Sequence, residues 1–309
     1  MSGAGAGAGA EAGAAGRIHG GGFLERMARD SARRVWEARA AEPLADLVAR
    51  ARDGEQPPAY RPDSFEVWAE FKSSSPSEGI FDRRDLDRRV DAYQEGGAAV
   101  LSVLTERSEF GGSLADLQGA ARRAAVPVLR KDFLVDPYQV WEALAAGASG
   151  VLLIARILTD EVLNRMLDAA AEAGLFVLLE AFEQEELDRA AGAARVAGAA
   201  GRTPVVLGVN CRDLDTLRVD PARFADYRLP GRPRPGGIAE GSVAEARTTA
   251  APGLRVVAES GIEDPAGAAR VAALGYGAVL VGSALMRSGR PVESVRELLE
   301  AGRAACRSG

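Results

Sequence analysis

The sequence predicts an α/β protein, a (β/α)8 barrel with an N-terminal helical extension. Three observations carry that expectation. Eight short apolar runs rich in Val, Leu and Ala are separated, with one irregular exception, by stretches whose apolar residues recur at helical spacing. Several of those runs end in a charged or polar side chain, at the edge where parallel α/β proteins do their chemistry. No Gly-x-Gly-x-x-Gly turn follows the first run, which counts against the alternative, a doubly wound open sheet. Eight parallel strands joined by crossovers close on themselves as a TIM barrel.

The elements follow in order. Residues 1–20, almost wholly Gly and Ala up to Gly16, read as a disordered tail without the basic and apolar regions of a signal peptide. Residues 21–309 then form a single barrel domain. Over 22–52, Leu24, Met27, Val35, Leu44 and Leu47 keep helical spacing, and Pro43 divides the arm into two helices. Pro57, Pro58 and Pro62 mark 53–63 as a linker. Strands are predicted over 66–72, 99–105, 126–131, 150–155, 175–180, 205–210, 255–259 and 278–281.

Between them lie helices with recognisable ends. One spans 85–95 and stops at Gly96. Ser113 caps the next, which runs to Ala124. Asp136 caps the third, with Pro137 in its first position and Gly147 just past its end. Thr159 opens the fourth, with Asp160 and Glu161 in the turn that the helix dipole favours. A helix near 183–194 gives way to a small-residue loop. Asp264 and Pro265 open a helix that Gly275 ends, and a last one covers 292–305. After the sixth strand the pattern is irregular. Pro230, Gly231, Pro233, Pro235, Gly236 and Gly237 give 221–253 the composition of an insertion. It reads as a tolerated surface segment, with a lid over the catalytic face as the other reading.

Composition narrows the chemistry. Hydrophobic residues at 47% and charged ones at 27% describe an ordinary soluble globular protein. A net charge of -6 with interspersed signs argues against nucleic acid, and no apolar run is long enough to span a membrane. Two cysteines, Cys211 and Cys306, make neither a disulfide framework nor a zinc site, which suits a reducing cytoplasm. The single histidine, His19, lies in the flexible-looking start and argues against histidine catalysis or a histidine-ligated metal. Acid–base work falls to Lys, Glu and Asp.

Those residues collect at strand ends. Side chains two apart share a strand face, so Glu70 and Lys72 point together, as do Asn210 and Arg212. Lys131, Glu180 and Glu259 end the third, fifth and seventh strands. Each glutamate alone reads equally well as half of a structural ion pair. Together in one barrel mouth they are costly to bury unless they pair or serve a ligand. Ser260-Gly261 and Gly282-Ser283 follow the last two strands, where barrels commonly hold phosphate, and Ser75 after the first could add a hydroxyl. Cys211, beside Asn210, falls on the opposite parity and reads as a buried structural thiol.

Several motifs, in order, resemble the signature of indole-3-glycerol phosphate synthases. They are Ala69-Glu-Phe-Lys-Ser-Ser-Ser-Pro-Ser77, Leu101-Ser-Val-Leu-Thr105, Leu129-Arg-Lys-Asp-Phe133 and Asp136-Pro-Tyr-Gln-Val140. Gly208-Val-Asn-Cys-Arg-Asp-Leu214, Glu259-Ser-Gly-Ile262 and Val281-Gly-Ser-Ala-Leu-Met286 continue the match. The resemblance implies closure of the indole pyrrole ring from 1-(2-carboxyphenylamino)-1-deoxyribulose 5-phosphate, with loss of carbon dioxide and water and no cofactor. It implies Lys131 as the acid that protonates the substrate carbonyl and Lys72 near the substrate carboxylate. It also implies Glu70 and Glu180 as carboxylates of which one takes the ring proton. Asn210 matches a catalytic polar residue; Phe133, Arg212 and Glu259 match substrate contacts. Ser260, Gly261, Gly282 and Ser283 match the phosphate cradle. The partner is then a small phosphorylated molecule, and the chain works in the cytoplasm as a monomer or weak homo-oligomer.

Three positions depart from the family pattern: Ser73 for a common basic residue, Glu109 for an aromatic, and Phe182 for a polar one. They motivate a second reading, a paralogue acting on a modified anthranilate-derived substrate. A third, from another class, is an inactive barrel that serves as a binding protein. The retained Glu70, Lys72, Lys131 and Glu180 argue against it.

Overall fold

The computed structural model describes residues 22–75, 79–80, 85–201, 203–213, 216–231 and 254–308. The expected tail over 1–20 and most of the expected insertion, 232–253, lie outside them. Two helices come first, α1 (Phe23–Ala41) and α2 (Leu44–Asp53), divided at Pro43. The barrel strands are β1 (Glu66–Phe71), β2 (Val100–Leu104), β3 (Val128–Lys131), β4 (Gly150–Ile154), β5 (Phe176–Ala181), β6 (Val205–Asn210), β7 (Val256–Glu259) and β8 (Ala278–Val281). Between and after them run α3 (Leu86–Glu95), α4 (Leu114–Arg123), α5 (Pro137–Ala145), α6 (Asp160–Glu172), α7 (Gln184–Ala199), α8 (Pro265–Leu274), α9 (Ser283–Arg287) and α10 (Pro291–Ser308). Each strand is parallel to its sequence neighbours, and β8 pairs with β1 to close the ring. The predicted (β/α)8 barrel is the observed fold.

The local chemistry explains the boundaries. Asp136 accepts the Tyr138 N–H at 2.8 Å and forms a capping box with Gln139, and Pro137 occupies the first turn. Thr159 and Asp264 cap α6 and α8, the latter through Gly267 N–H at 2.7 Å. Gly147 and Gly275 end their helices at φ 85° and 103°, where a side chain would be strained. Two readings need correction. The small-residue stretch after 194 is helix, and α7 reaches Ala199, because alanine is the best helix former and Ala194 and Ala197 bury against the barrel. The short α9 went unread, since five residues are too few to display a period. Between β6 and β7 the described residues hold an isolated antiparallel bridge, Arg212 to Val219, and a 3-10 turn, Pro221–Ala225.

One end of the barrel is plugged. Trp68 lies 5.4 Å from Tyr60 and 5.7 Å from Phe176, ring centre to ring centre, and all three are buried. Beneath them Glu66 accepts from Tyr60 Oη and Trp68 Nε1, both at 3.0 Å, and pairs with Arg255 at 3.0 Å. A buried carboxylate so fully partnered locks the floor. Trp68 and Glu70 share a strand face, so the residue that closes the bottom puts the carboxylate at the top.

The arm docks on the segment that follows β3. Arg34 pairs with buried Asp132 at 2.7 Å, and Gln139 Nε2 donates to Ser31 Oγ at 2.9 Å. Tyr138 Oη donates to the carbonyls of Ala38 and Glu42 at the end of α1. No helix among the described residues is long and apolar enough to cross a membrane.

Candidate active site

A cavity of about 380 Å³ opens at the carboxyl ends of the strands. Lys131 lines it, with Nζ 3.0 Å from Glu259 Oε2 and 3.4 Å from Glu70 Oε2. Burial works against the lysine's charge, but Glu259, Glu70 and Glu180 outweigh it and hold its pKa above the ordinary value. Lys131 is therefore an ammonium at neutral pH. Neighbouring Arg130 points the opposite way, to Glu142 and the Gln139 carbonyl.

Across the cavity, Glu180 is pinned by one oxygen. Asn210 Nδ2 donates to its Oε1 at 3.0 Å, and Asn210 Oδ1 accepts the Arg212 N–H at 2.9 Å. The other oxygen, Oε2, is buried without a donor among the described residues and interacts with the Glu259 carboxyl. Burial and, next, the charge of Glu259 raise the Glu180 pKa to about 8, against the pull of Lys131 and Asn210. A carboxyl held against a second buried carboxyl keeps its proton up to mildly alkaline pH, and in its ionised form it is a strong base for the site.

The opposite rim is suited to an anion. Lys72 Nζ donates to Ser283 Oγ at 2.6 Å, joining the end of β1 to the loop after β8. Ser260 and Gly261 follow β7 at φ 69° and 68°, two successive left-handed residues. For Ser260 that conformation is strained, as it often is at binding loops. A Cβ at Gly261 would lie 2.8 Å from Pro221 Cγ and 2.9 Å from Val219 Cγ1, so only glycine fits. Buried Cys211 sits behind it, its thiol pushed up to about 12 by burial.

Glu70, Lys72, Lys131, Phe133, Glu180, Asn210, Arg212, Ser260, Gly261, Gly282 and Ser283 all line this one cavity. Glu259 is fully buried and reaches it through Lys131. Ser75 is placed by its backbone in a short ladder with Gly79. The sequence reading missed the apolar wall: Phe23 from the arm, Phe110, Leu152 and Leu217. The Phe133 ring packs 5.9 Å from Phe23 and 6.4 Å from Phe110. Phe23 carries no local signal of its role, because only the docking of α1 brings it to the mouth.

The chain matches the family model for indole-3-glycerol phosphate synthase over residues 24–229. The chain belongs to the indole-3-glycerol phosphate synthase family. Curated relatives of that name include one from Beutenbergia cavernae, 42% identical over 78% of this chain and 80% of the relative. Another, from Nocardioides, is 41% identical over 85% of this chain and 92% of its own. That from Mycolicibacterium smegmatis is 39% identical over 86% and 84%. Among solved structures, 3-hexulose-6-phosphate synthase from Salmonella typhimurium superposes with a TM-score of 0.50 over 78% of this chain and 99% of that one. At 16% identity it shows the barrel fold alone.

Within this indole-3-glycerol phosphate synthase barrel two glycines make room for the carboxylates. A Cβ at Gly208 would lie 2.1 Å from Glu259 Oε1, and one at Gly282 would lie 2.3 Å from Glu70 Oε1. Gly208→Ala should push Glu259 off Lys131. The expected loss is about 10²-fold in kcat, from misplacement by roughly an ångström. Stability should fall by about 1–3 kcal/mol, since an added methyl overpacks the core. Gly192→Ala, where a Cβ meets nothing within 4 Å, is the control and should be neutral or stabilising. Steady-state kinetics with thermal melts on both variants checks this; equal activity in the two would show that Glu259 is not held by Gly208.

Proposed function

We propose that the chain converts 1-(2-carboxyphenylamino)-1-deoxyribulose 5-phosphate to indole-3-glycerol phosphate, carbon dioxide and water, and its curated relatives are named as synthases of that product. The observation that carries this reading is the position of Lys131, held as an ammonium between Glu70 and Glu259 with Glu180 facing it. The phosphate sits by Ser260, Gly261, Gly282 and Ser283, and the ring lies against Phe23, Phe110 and Phe133. As the carboxyl-bearing ring carbon attacks the ketone carbon, a C–C bond forms and the ketone oxygen takes a proton from Lys131 Nζ. Carbon dioxide leaves, its bonding electrons returning to the ring. Expulsion of the new hydroxyl as water needs one proton delivered and one removed. In this reading Lys72 delivers it, and Glu180 in its ionised form removes the other.

Such a site acts by stabilising the cyclised intermediate more than the substrate anion. The balanced charge distribution and two unpaired thiols suit work in the cytoplasm, as a monomer or weak homo-oligomer in the tryptophan pathway. Incubating purified protein with the anilino-deoxyribulose phosphate and following indole fluorescence tests the proposal. Product formation is expected. Turnover only of a ring-substituted substrate would point to the specialised paralogue, and binding without turnover to an inactive barrel.

A further inference from the structure

The loop from β2 to α4 is folded around a carboxylate of its own. Glu106, two residues beyond β2, is 3% exposed and has no ion-pair partner among the described residues. Its Oε1 accepts from the Ser108 N–H at 2.8 Å and the Ser108 hydroxyl at 2.6 Å. Its Oε2 accepts from the N–H groups of Glu109 at 2.7 Å and Phe110 at 3.1 Å. Its carbonyl takes the Gly112 N–H at 2.7 Å. A buried carboxylate without a cation is costly, and four donors to its oxygens offset that cost only while the loop keeps this shape. The charge is thus a template for the loop.

What the loop presents makes the template matter. Phe110 lines the cavity and stands in the aromatic wall beside Phe133. The Phe110 carbonyl accepts the Ser74 N–H at 3.0 Å, and the Glu109 carbonyl accepts the Ser74 hydroxyl at 3.2 Å. Ser74 lies two residues past Lys72. Glu109, the residue that departs from the family's aromatic, turns its carboxylate to Arg26 on α1 at 3.3 Å. Gly112 permits the return, because a Cβ there would lie 2.2 Å from the Leu104 carbonyl oxygen. Glu106 itself does not line the cavity.

We infer that Glu106 is a positioning residue of the reaction: acting through Phe110, it fixes the wall against which the aromatic ring of the substrate is held. The inference rests on the reading of that wall as the ring's subsite. Ring closure needs one ring carbon facing the ketone carbon, and a wall that wanders costs rate as well as affinity.

A double-mutant cycle tests it. Glu106→Gln keeps the size of the side chain but turns a donor toward backbone N–H groups. It should lower kcat/KM by about 10–100-fold, the scale of a small misplacement at a reacting centre. It should weaken 2-aminobenzoate, a probe of the ring subsite, while inorganic phosphate, a probe of the opposite rim, binds as in the wild type. In a Phe110→Ala background Glu106→Gln should cost no more than about threefold further, because the two residues act as one. Additive losses, or equal weakening of phosphate and 2-aminobenzoate, would overturn the role. If Glu106→Gln fails to fold, Glu106→Asp should show the same split between the two probes at smaller size, and its absence would overturn the role equally. A wild-type protein without turnover would refute the proposed reaction; turnover with additive losses would refute only the part given to Glu106.

Discussion

Lys131→Met is expected to lower kcat by about 10²–10⁴-fold while changing substrate affinity far less, as loss of a general acid does. Lys72 instead donates to Ser283 just past β8, and Arg130 points into the helix layer. Lys131→Arg should not rescue the rate, because a guanidinium holds its proton and is not a donor at neutral pH. The surrounding carboxylates keep Lys131 charged, so the proton becomes transferable only as negative charge develops on the ketone oxygen. Titration of this lysine should accordingly not appear in a kcat profile near neutrality. Removing it leaves Glu259, Glu70 and Glu180 without their shared cation, and the variant's fold needs checking by circular dichroism. Retention of most of kcat by a folded Lys131→Met would move the acid to another strand.

Glu180→Gln should separate stability from activity. The carboxylate's folded pKa, about 8, lies above the ordinary 4.5. Its favourable contribution is therefore present below pH 4.5 and is lost as pH rises through about 8. Above that pH the folded protein carries a buried charge beside the Glu259 carboxylate. An amide does not titrate, so the melting temperature of Glu180→Gln should exceed that of the wild type by a margin that widens as pH rises. At the alkaline end about 1–3 kcal/mol is the scale for relieving one poorly satisfied buried group. Turnover should fall by about 10²–10⁴-fold, the range for a lost general base. The wild-type kcat/KM should rise toward higher pH on a limb far above that of a free carboxylate, and the variant should lack that limb. Melts at several pH values, paired with kinetics, read both effects. A margin that narrows with pH would show that Glu180 is ionised and well satisfied in the folded chain.

How much of this could be read in the sequence depended on whether the signal was local. Strand parity placed Glu70 with Lys72 and Asn210 with Arg212, because alternation is a property of the strand alone. The caps at Asp136, Thr159 and Asp264 were likewise legible, each needing only a few consecutive residues. Phe23 and Glu106 were not. Phe23 reaches the mouth through contacts of α1 with the segment after β3, and Glu106 looked like any charged residue after a strand. Glu259 was placed at the right strand end, but its burial beneath Lys131 depends on the glycine at 208 in the neighbouring strand. The role of Glu66 as the anchor of the floor was also hidden, since Arg255 comes from the far end of the chain and Tyr60 from the linker before β1.

The docking site of the arm has a consequence for the order in which the chain can be made. Arg34 and its partner Asp132 are 98 residues apart, and Ser31 and Gln139 are 108 apart. The arm therefore leaves the ribosome long before its seat exists. At a synthesis rate of about 5–20 residues per second, the delay is roughly 5–20 s. Throughout that interval Leu24, Met27 and Val35, buried in the finished protein, have nothing of their own chain to cover them. Closure of the ring imposes a longer wait, because β1 cannot meet β8 until nearly the whole chain has emerged. A nascent chain halted before Asp132 should thus carry an exposed apolar helix face that a holding chaperone can bind, and one extended past Gln139 should release it.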